Sequence, residues 1–146
     1  MATRTRILVI NDTQAILELF HSILEEEGYE VMLSAVPYQN VSEIEQVHAD
    51  LIILDIMFGD QKAGWQMVQM LRMNRATASL PIIVCTAAIR EVRETEGYLI
   101  AQGVLVLYKP FKLDDLLSMV SQALALPHHV VSQASEEDEK SVKKKD

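Results

Sequence analysis

A chain of 146 residues in which 49% are hydrophobic holds enough apolar sequence for one domain with a single buried core. Its formal charge of -8 argues against a nucleic-acid binder, which would carry a basic stripe. The lone cysteine, Cys85, excludes an internal disulfide and a zinc ligand set, and fits a reduced, cytoplasmic setting.

The segment Met1 to Arg6 is followed by an apolar run of only Ile7 to Ile10, too short for a signal sequence or a membrane span. That run is rich in β-branched residues and reads as a first strand, stopped by Asn11-Asp12-Thr13, residues that favour turns and helix caps. From Gln14 to Glu27, Ile16, Phe20, Ile23 and Leu24 recur at helical spacing, with Glu18, Glu25, Glu26 and Glu27 largely opposite. Gly28 supplies a left-handed stop, and Tyr29 to Ala35 reads as a second strand. Pro37 and Asn40 punctuate the next turn, and Val41, Ile44 and Val47 mark a short second helix.

Leu51-Ile52-Ile53-Leu54 follows, apolar at every position, as expected of a strand buried on both faces of a parallel sheet. It delivers Asp55 to its C-terminal end, the edge at which open α/β sheets bind ligands. After the loop Met57 to Gly64 come Trp65, Val68, Met70 and Leu71, a third helix rich in soft side chains. Pro81 to Cys85 is the fourth strand, ending at Thr86. Ile89 to Gln102 is expected as one fourth helix despite Gly97 and a weak apolar stripe. Gly103 closes it, Val104 to Tyr108 is the fifth strand, and Lys109-Pro110-Phe111 leads into a last helix over about Lys112 to Leu124. Its inward set is Leu113, Leu116, Leu117, Val120 and Leu124, with Asp114 and Asp115 at the positive end of its dipole.

Pro127 is expected to end a domain over residues 1–126. Residues 127–146 carry blocks of like charge and no apolar period, which predicts a solvated, disordered tail. The adjacent His128 and His129 in it lack the further ligands that a metal site needs. Five strands alternating with five helices predict an α/β domain, a doubly wound parallel sheet with helices on both faces.

The strand ends then share one edge. They bring together Asn11, Asp12, Asp55, Thr86 and Lys109: an amide, two carboxylates, a hydroxyl and an ammonium group. Two carboxylates ~4 Å apart repel by about 4 kcal/mol at an effective dielectric of 20. A divalent cation relieves that repulsion, and a set of oxygen ligands selects a hard ion such as Mg²⁺. With Lys109 to neutralise phosphoryl oxygens, Thr86 to donate to one and Asp55 as an oxygen nucleophile, the set suits formation of an aspartyl phosphate. Taken singly, Asp12 is a helix cap, Thr86 a strand-end hydroxyl and Lys109 a solvated charge. Their convergence is what argues for chemistry.

In order and spacing, Asn11-Asp12, Leu51 to Asp55, Cys85-Thr86-Ala87 and Tyr108-Lys109-Pro110-Phe111 resemble the receiver domains of two-component response regulators, over about residues 4 to 125. The resemblance implies a flavodoxin-like (βα)5 fold with strand order 2-1-3-4-5. It implies that Asp55 accepts a phosphoryl group from a sensor histidine kinase or phosphotransfer protein, and that the receiver itself catalyses both this transfer and its own later dephosphorylation. Asp12, Asp55 and the main-chain carbonyl of Met57 would hold Mg²⁺, Asn11 would act through a water, Thr86 would be the switch hydroxyl and Lys109 the phosphate-binding lysine. The Lys109-Pro110 peptide is expected to be cis, and signalling is expected through docking on the fourth helix, fifth strand and fifth helix.

Three departures accompany the resemblance. Asn11 stands where the family usually has an acid, Val106 stands where it has an aromatic switch residue, and the loop Phe58 to Ala63 lacks a common proline and is about one residue longer. Tyr108, two residues from Val106 on the same side of the strand, is the candidate substitute. Other readings fare worse. A dehalogenase-type phosphatase needs a carboxylate where Met57 stands, and the glycine spacing Gly59 to Gly64 lacks the Lys and Ser/Thr of a P-loop. The serious alternative is a pseudo-receiver, the same fold acting by contact without phosphorylation.

Overall fold

The computed structural model describes residues 4–59 and 61–125. The elements run β1 (Arg6–Ile10), α1 (Gln14–Glu26), β2 (Glu30–Ser34), α2 (Val41–Val47), β3 (Leu51–Leu54), α3 (Ala63–Met73), β4 (Ile82–Thr86), α4 (Ile89–Arg93), α5 (Glu96–Ala101), β5 (Val104–Tyr108) and α6 (Leu113–Ala125). All five strands are parallel, in the order β2-β1-β3-β4-β5, which is the flavodoxin-like arrangement. The chain order reverses at β1, so the ends of β1 and β3 border the crevice where such sheets bind ligands.

Alternation along the strands divides the core in two. Ile7, Val9, Leu51, Ile53, Ile83 and Cys85 face α1 and α6, meeting Leu17, Phe20, Leu24, Leu116, Val120 and Ala123. Leu8, Ile10, Ile52, Leu54, Ile82 and Val84 face the opposite way, onto Ile44, Met67, Val68, Leu71, Val92 and Leu99 from the other four helices. Every residue of β3 and β4 is buried, and this explains why their sequences show no polar alternation.

The helix faces differ from their expected membership in detail. In α1 the buried residues are Leu17, Phe20 and Leu24, with Ile16 and Ile23 only half-buried. In α6, Leu113 is 49% exposed and Ala123 takes an inward place instead. Leu113 is the first residue of its helix.

A larger correction concerns the single helix expected over Ile89 to Gln102, which is two helices, making six among the described residues. The break falls at Glu94 and Thr95. The Thr95 hydroxyl donates to the carbonyls of Val92 at 3.2 Å and Glu91 at 3.5 Å, and its N–H donates to Val92 at 2.9 Å, a tightened turn that ends α4. A threonine bonding back to the preceding turn competes with helix continuation. Thr95 then opens α5 by accepting from the Leu99 N–H at 3.0 Å. Elsewhere the local signals hold: Asn40 caps α2 by accepting from the Glu43 N–H at 3.0 Å, and Gly28 sits at φ +95° after α1.

Among the described residues no helix is long and apolar enough to cross a membrane. The tail with His128 and His129 lies outside the described residues.

Candidate functional site

Asp55 leaves the buried end of β3 with its side chain 14% exposed. Three features hold it. Its Oδ1 accepts the Met57 N–H at 3.3 Å, turning the chain back over the carboxylate. Its Oδ2 meets the Lys109 Nζ at 3.3 Å, across the width of β4 from β5. Behind it, Gly64 donates its N–H to the Ile56 carbonyl at 3.0 Å, and a Cβ on Gly64 would stand 1.8 Å from the Asp55 carbonyl oxygen. Only glycine permits α3 to begin that close to the loop.

The Lys109–Asp55 attraction is about 5 kcal/mol at an effective dielectric of 20, and desolvation offsets much of it because neither side chain is more than 21% exposed. Lys109 is aimed by its own backbone. Its N–H donates to the Thr86 carbonyl at 2.9 Å, extending the β4–β5 ladder by one bond, and the Lys109–Pro110 peptide that follows is cis as expected.

Thr86 is completely buried, and its Oγ1 accepts the Ala88 N–H at 3.0 Å. The hydroxyl therefore serves its own loop in this state. Val106 and Tyr108 lie on one side of β5, packed against the same core, as their period-two spacing predicts. Tyr108 reaches out to α5, where its hydroxyl donates to Glu96 Oε1 at 3.1 Å. Burial first, then the Glu96 carboxylate, hold that phenol above its ordinary pKa and keep it a donor.

At the other side of the rim, Asp12 is exposed and Asn11 is buried. Asn11 Oδ1 accepts the Thr13 N–H at 2.9 Å, closing the turn into α1, so the helix cap position falls to Thr13 and not to Asp12. Asp12 instead accepts the Gly59 N–H at 3.0 Å on Oδ2. Gly59, with Gly64, is a residue that sequence reasoning missed. The signal was present in their spacing, which lacks P-loop partners and has a different cause: one glycine takes a left-handed turn, φ +65°, and the other packs on the Asp55 backbone.

Cys85 is buried packing beneath this rim. Desolvation pushes its thiol up to about 12, with Lys109 pulling the other way and Asp55 adding to the rise. Trp65, expected to have no special role, stacks edge-on to Tyr98 of α5 with ring centroids 5.2 Å apart. Larger concavities of about 430 and 530 Å³ lie away from this rim, beside α2, and none of the site residues lines them.

Among the described residues no three His, Cys, Asp or Glu side chains are grouped to hold a metal. What the site offers is two carboxylates and main-chain carbonyl oxygen, a set that fits a hard cation retaining several waters and does not fit a soft metal.

The fold is a parallel doubly wound domain that sets a part-buried aspartate against a lysine at the carboxyl ends of its strands. The model of the response regulator receiver domain matches residues 7–121, and the chain belongs to that family. The DNA-binding dual master transcriptional regulator RpaA of Synechocystis is 31% identical over 119 residues, covering 82% of this chain and 48% of that protein. The DNA-binding response regulator MtrA of Mycolicibacterium smegmatis is 28% identical over 121 residues, 83% of this chain and 51% of that protein. The chain thus spans about half the length of these relatives. Among solved structures, a CheY-like receiver domain protein from Methanospirillum hungatei superposes with a TM-score of 0.69 at 26% identity, covering 84% of this chain and 94% of that one. Response regulator TrrA from Thermotoga maritima, solved in complex with Mg²⁺-BeF, gives 0.67 at 27% identity, covering 82% and 98%. Phosphorelay signalling with Mg²⁺ is typical of the family.

Proposed function

We propose that this receiver accepts a phosphoryl group on Asp55 from the phosphohistidine of a sensor kinase or phosphotransfer protein, and signals by phosphorylation-dependent protein docking. The observation that carries the reading is the 3.3 Å approach of Lys109 Nζ to Asp55 Oδ2, made by residues 54 apart in sequence. In the transfer, an Asp55 carboxylate oxygen attacks phosphorus, a P–O bond forms, and the P–N bond to histidine breaks with its electron pair returning to the imidazole. Lys109 lies where it can follow the equatorial oxygens as their charge rises. Thr86 becomes a donor to one of them on exchanging its bond to Ala88.

Asp12, Asp55 and the Met57 carbonyl are the residues to hold Mg²⁺, with Asn11 acting through a metal-bound water. Bound there, the cation supplies charge neutralisation to the transferring group. Asn11 is a neutral amide already engaged with Thr13, so cation affinity should be weaker than with an acid in its place.

The reading divides the chain into a receiver over 1–126 and a charged tail over 127–146. Docking is assigned to the face of α4, α5, β5 and α6, where Ile89, Tyr98, Ile100 and Leu113 are exposed apolar residues. The net charge of -8 over the whole chain favours a protein partner over nucleic acid. Phosphorylation would shift a pre-existing equilibrium of that face, which takes a differential interaction of only a few kcal/mol.

A pseudo-receiver remains the competing reading, favoured by Asn11 and by the valine at 106. Acetyl phosphate and Mg²⁺ followed by intact mass measurement separates the two. A gain of one phosphoryl group, absent in Asp55→Asn, supports phosphorylation, and an unchanged mass in the parent protein rejects it.

A further inference from the structure

Asp12, exposed at the end of β1, is not simply waiting for a cation. Its Oδ2 accepts the Gly59 N–H at 3.0 Å, and its Oδ1 lies 3.4 Å from the Thr13 hydroxyl. The Gly59 N–H is aimed by a closed turn. Phe58 donates its N–H to the Gln61 carbonyl at 2.8 Å, Gln61 donates back to Phe58 at 3.1 Å, and Gly59 between them adopts φ +65°. This turn belongs to the segment that begins at Asp55 and ends at Gly64, so one loop carries the phosphoacceptor at its start and a donor for the opposing carboxylate in its middle.

We infer that Gly59 is a positioning residue whose main-chain N–H holds Asp12 in the cation-free state, and that a divalent cation displaces it, coupling metal uptake to release of the Phe58–Gln61 turn. The inference rests on the proposed reading of Asp12 as a cation ligand. A dication coordinates a carboxylate oxygen at about 2.0 to 2.1 Å. The positive end of the N–H dipole and the ion then draw on the charge of one carboxylate. Holding both costs each of them, and linkage makes each weaken the other by the same factor. The loop of this chain is therefore not neutral: its Gly59 N–H competes with the ion for the Asp12 carboxylate.

Gly59 is a clean place to test this, because a Cβ there meets nothing within 4 Å, so substitutions act only through the backbone. A β-branched residue disfavours φ +65°, whereas asparagine tolerates it and keeps the N–H. Calorimetric titration with Mg²⁺ should show Gly59→Val binding about fivefold to tenfold tighter than the parent, and Gly59→Asn binding as the parent does. In the parent protein, the Gly59 amide cross-peak should shift along the titration and its hydrogen exchange should quicken at saturation. Asp12→Ala supplies the separate check on the underlying reading. Binding that is lost in Asp12→Ala but unchanged or weakened in Gly59→Val, or a Gly59 amide still protected at saturating Mg²⁺, overturns this inference alone. Binding indifferent to Asp12→Ala, or no binding by the parent, overturns both.

Discussion

The two halves of the strand-end rim are held in opposite ways. On the β1–β3 side Asp12 is exposed while Asn11 and Asp55 are largely covered, and the constraints on the two carboxylates come from main chain: Met57 N–H on Asp55, Gly59 N–H on Asp12, and the Gly64 backbone against Asp55. On the β4–β5 side Thr86 is sealed in and bonded to the Lys109 and Ala88 main chain, Val106 and Tyr108 are half-buried, and Tyr108 adds an outward tie through its side chain to α5. Lys109 spans the two at its contact with Asp55. A half built on backbone presents fixed oxygens to a ligand, whereas a half built on side-chain contacts with short helices can be repacked at small cost. Under the proposed function, the first half would carry the chemistry and the second the response.

Breaking the contact between the halves should have the largest effect. Lys109→Ala is expected to slow acetyl phosphate uptake about 100-fold, the usual loss on removing one preorganised charge donor, while leaving the fold intact. Rates from mass spectrometry and a circular dichroism melt check both parts, and an unaffected rate would dismiss Lys109 from the chemistry. Next in size is the backbone of the first half. Gly64→Ala forces a methyl to 1.8 Å from the Asp55 carbonyl, so the loop or α3 must move. Overpacking of this kind costs about 3 kcal/mol, read as a lower urea midpoint, and it should lower phosphorylation too because Asp55 shifts with its loop. The equivalent change at Gly97, whose Cβ position is open, is expected to be mild.

The two halves also differ in how far the sequence disclosed them. The strands were legible because β1, β3 and β4 are unbroken apolar runs, and Asp12, Asp55, Thr86 and Lys109 were legible because each punctuates the end of a strand. The partners of those residues were not. Gly59 and Gly64 act through main-chain geometry, which leaves no mark beyond a glycine. The Thr95 break was hidden because a threonine within a weak apolar stripe carries no fixed meaning until its hydroxyl finds a carbonyl. Trp65 and Tyr98 are 33 positions apart, and nothing local foretells that their rings meet.

Beneath the responsive half, Cys85 sharpens the contrast through pH. Its thiol is pushed up to about 12 from 9.0 by burial, so the folded protein keeps the proton that the unfolded chain gives up. Stability from this group is whole below pH 9 and is lost as pH rises toward 12, with a slope of at most about 1.4 kcal/mol per unit. Urea unfolding at pH 8 and pH 10.5 should show a smaller decline for Cys85→Ala than for the parent. The same burial predicts that thiol reagents modify Cys85 at pH 8 only as fast as the protein opens. Modification as rapid as that of a free thiol would mean that the core under β4 is looser than its packing implies.

The smallest effect tests whether Tyr108 belongs to the response and not to the chemistry. Tyr108→Phe removes the hydroxyl that donates to Glu96 and leaves the ring, at a cost of about 1 kcal/mol. Because burial and Glu96 raise the phenol's pKa, its contribution persists to about pH 10 and disappears above, so parent and variant should converge in stability only in alkali. Acetyl phosphate uptake by Asp55 should be unchanged, while amide exchange in α5 quickens, since one of its side-chain ties to the sheet is gone. Slower uptake would place Tyr108 in the transfer step. If exchange in α5 does not change, the Trp65–Tyr98 ring contact and the buried Leu99 hold that helix without Tyr108, and the proposed docking face would not be linked to the rim through the Tyr108 hydroxyl.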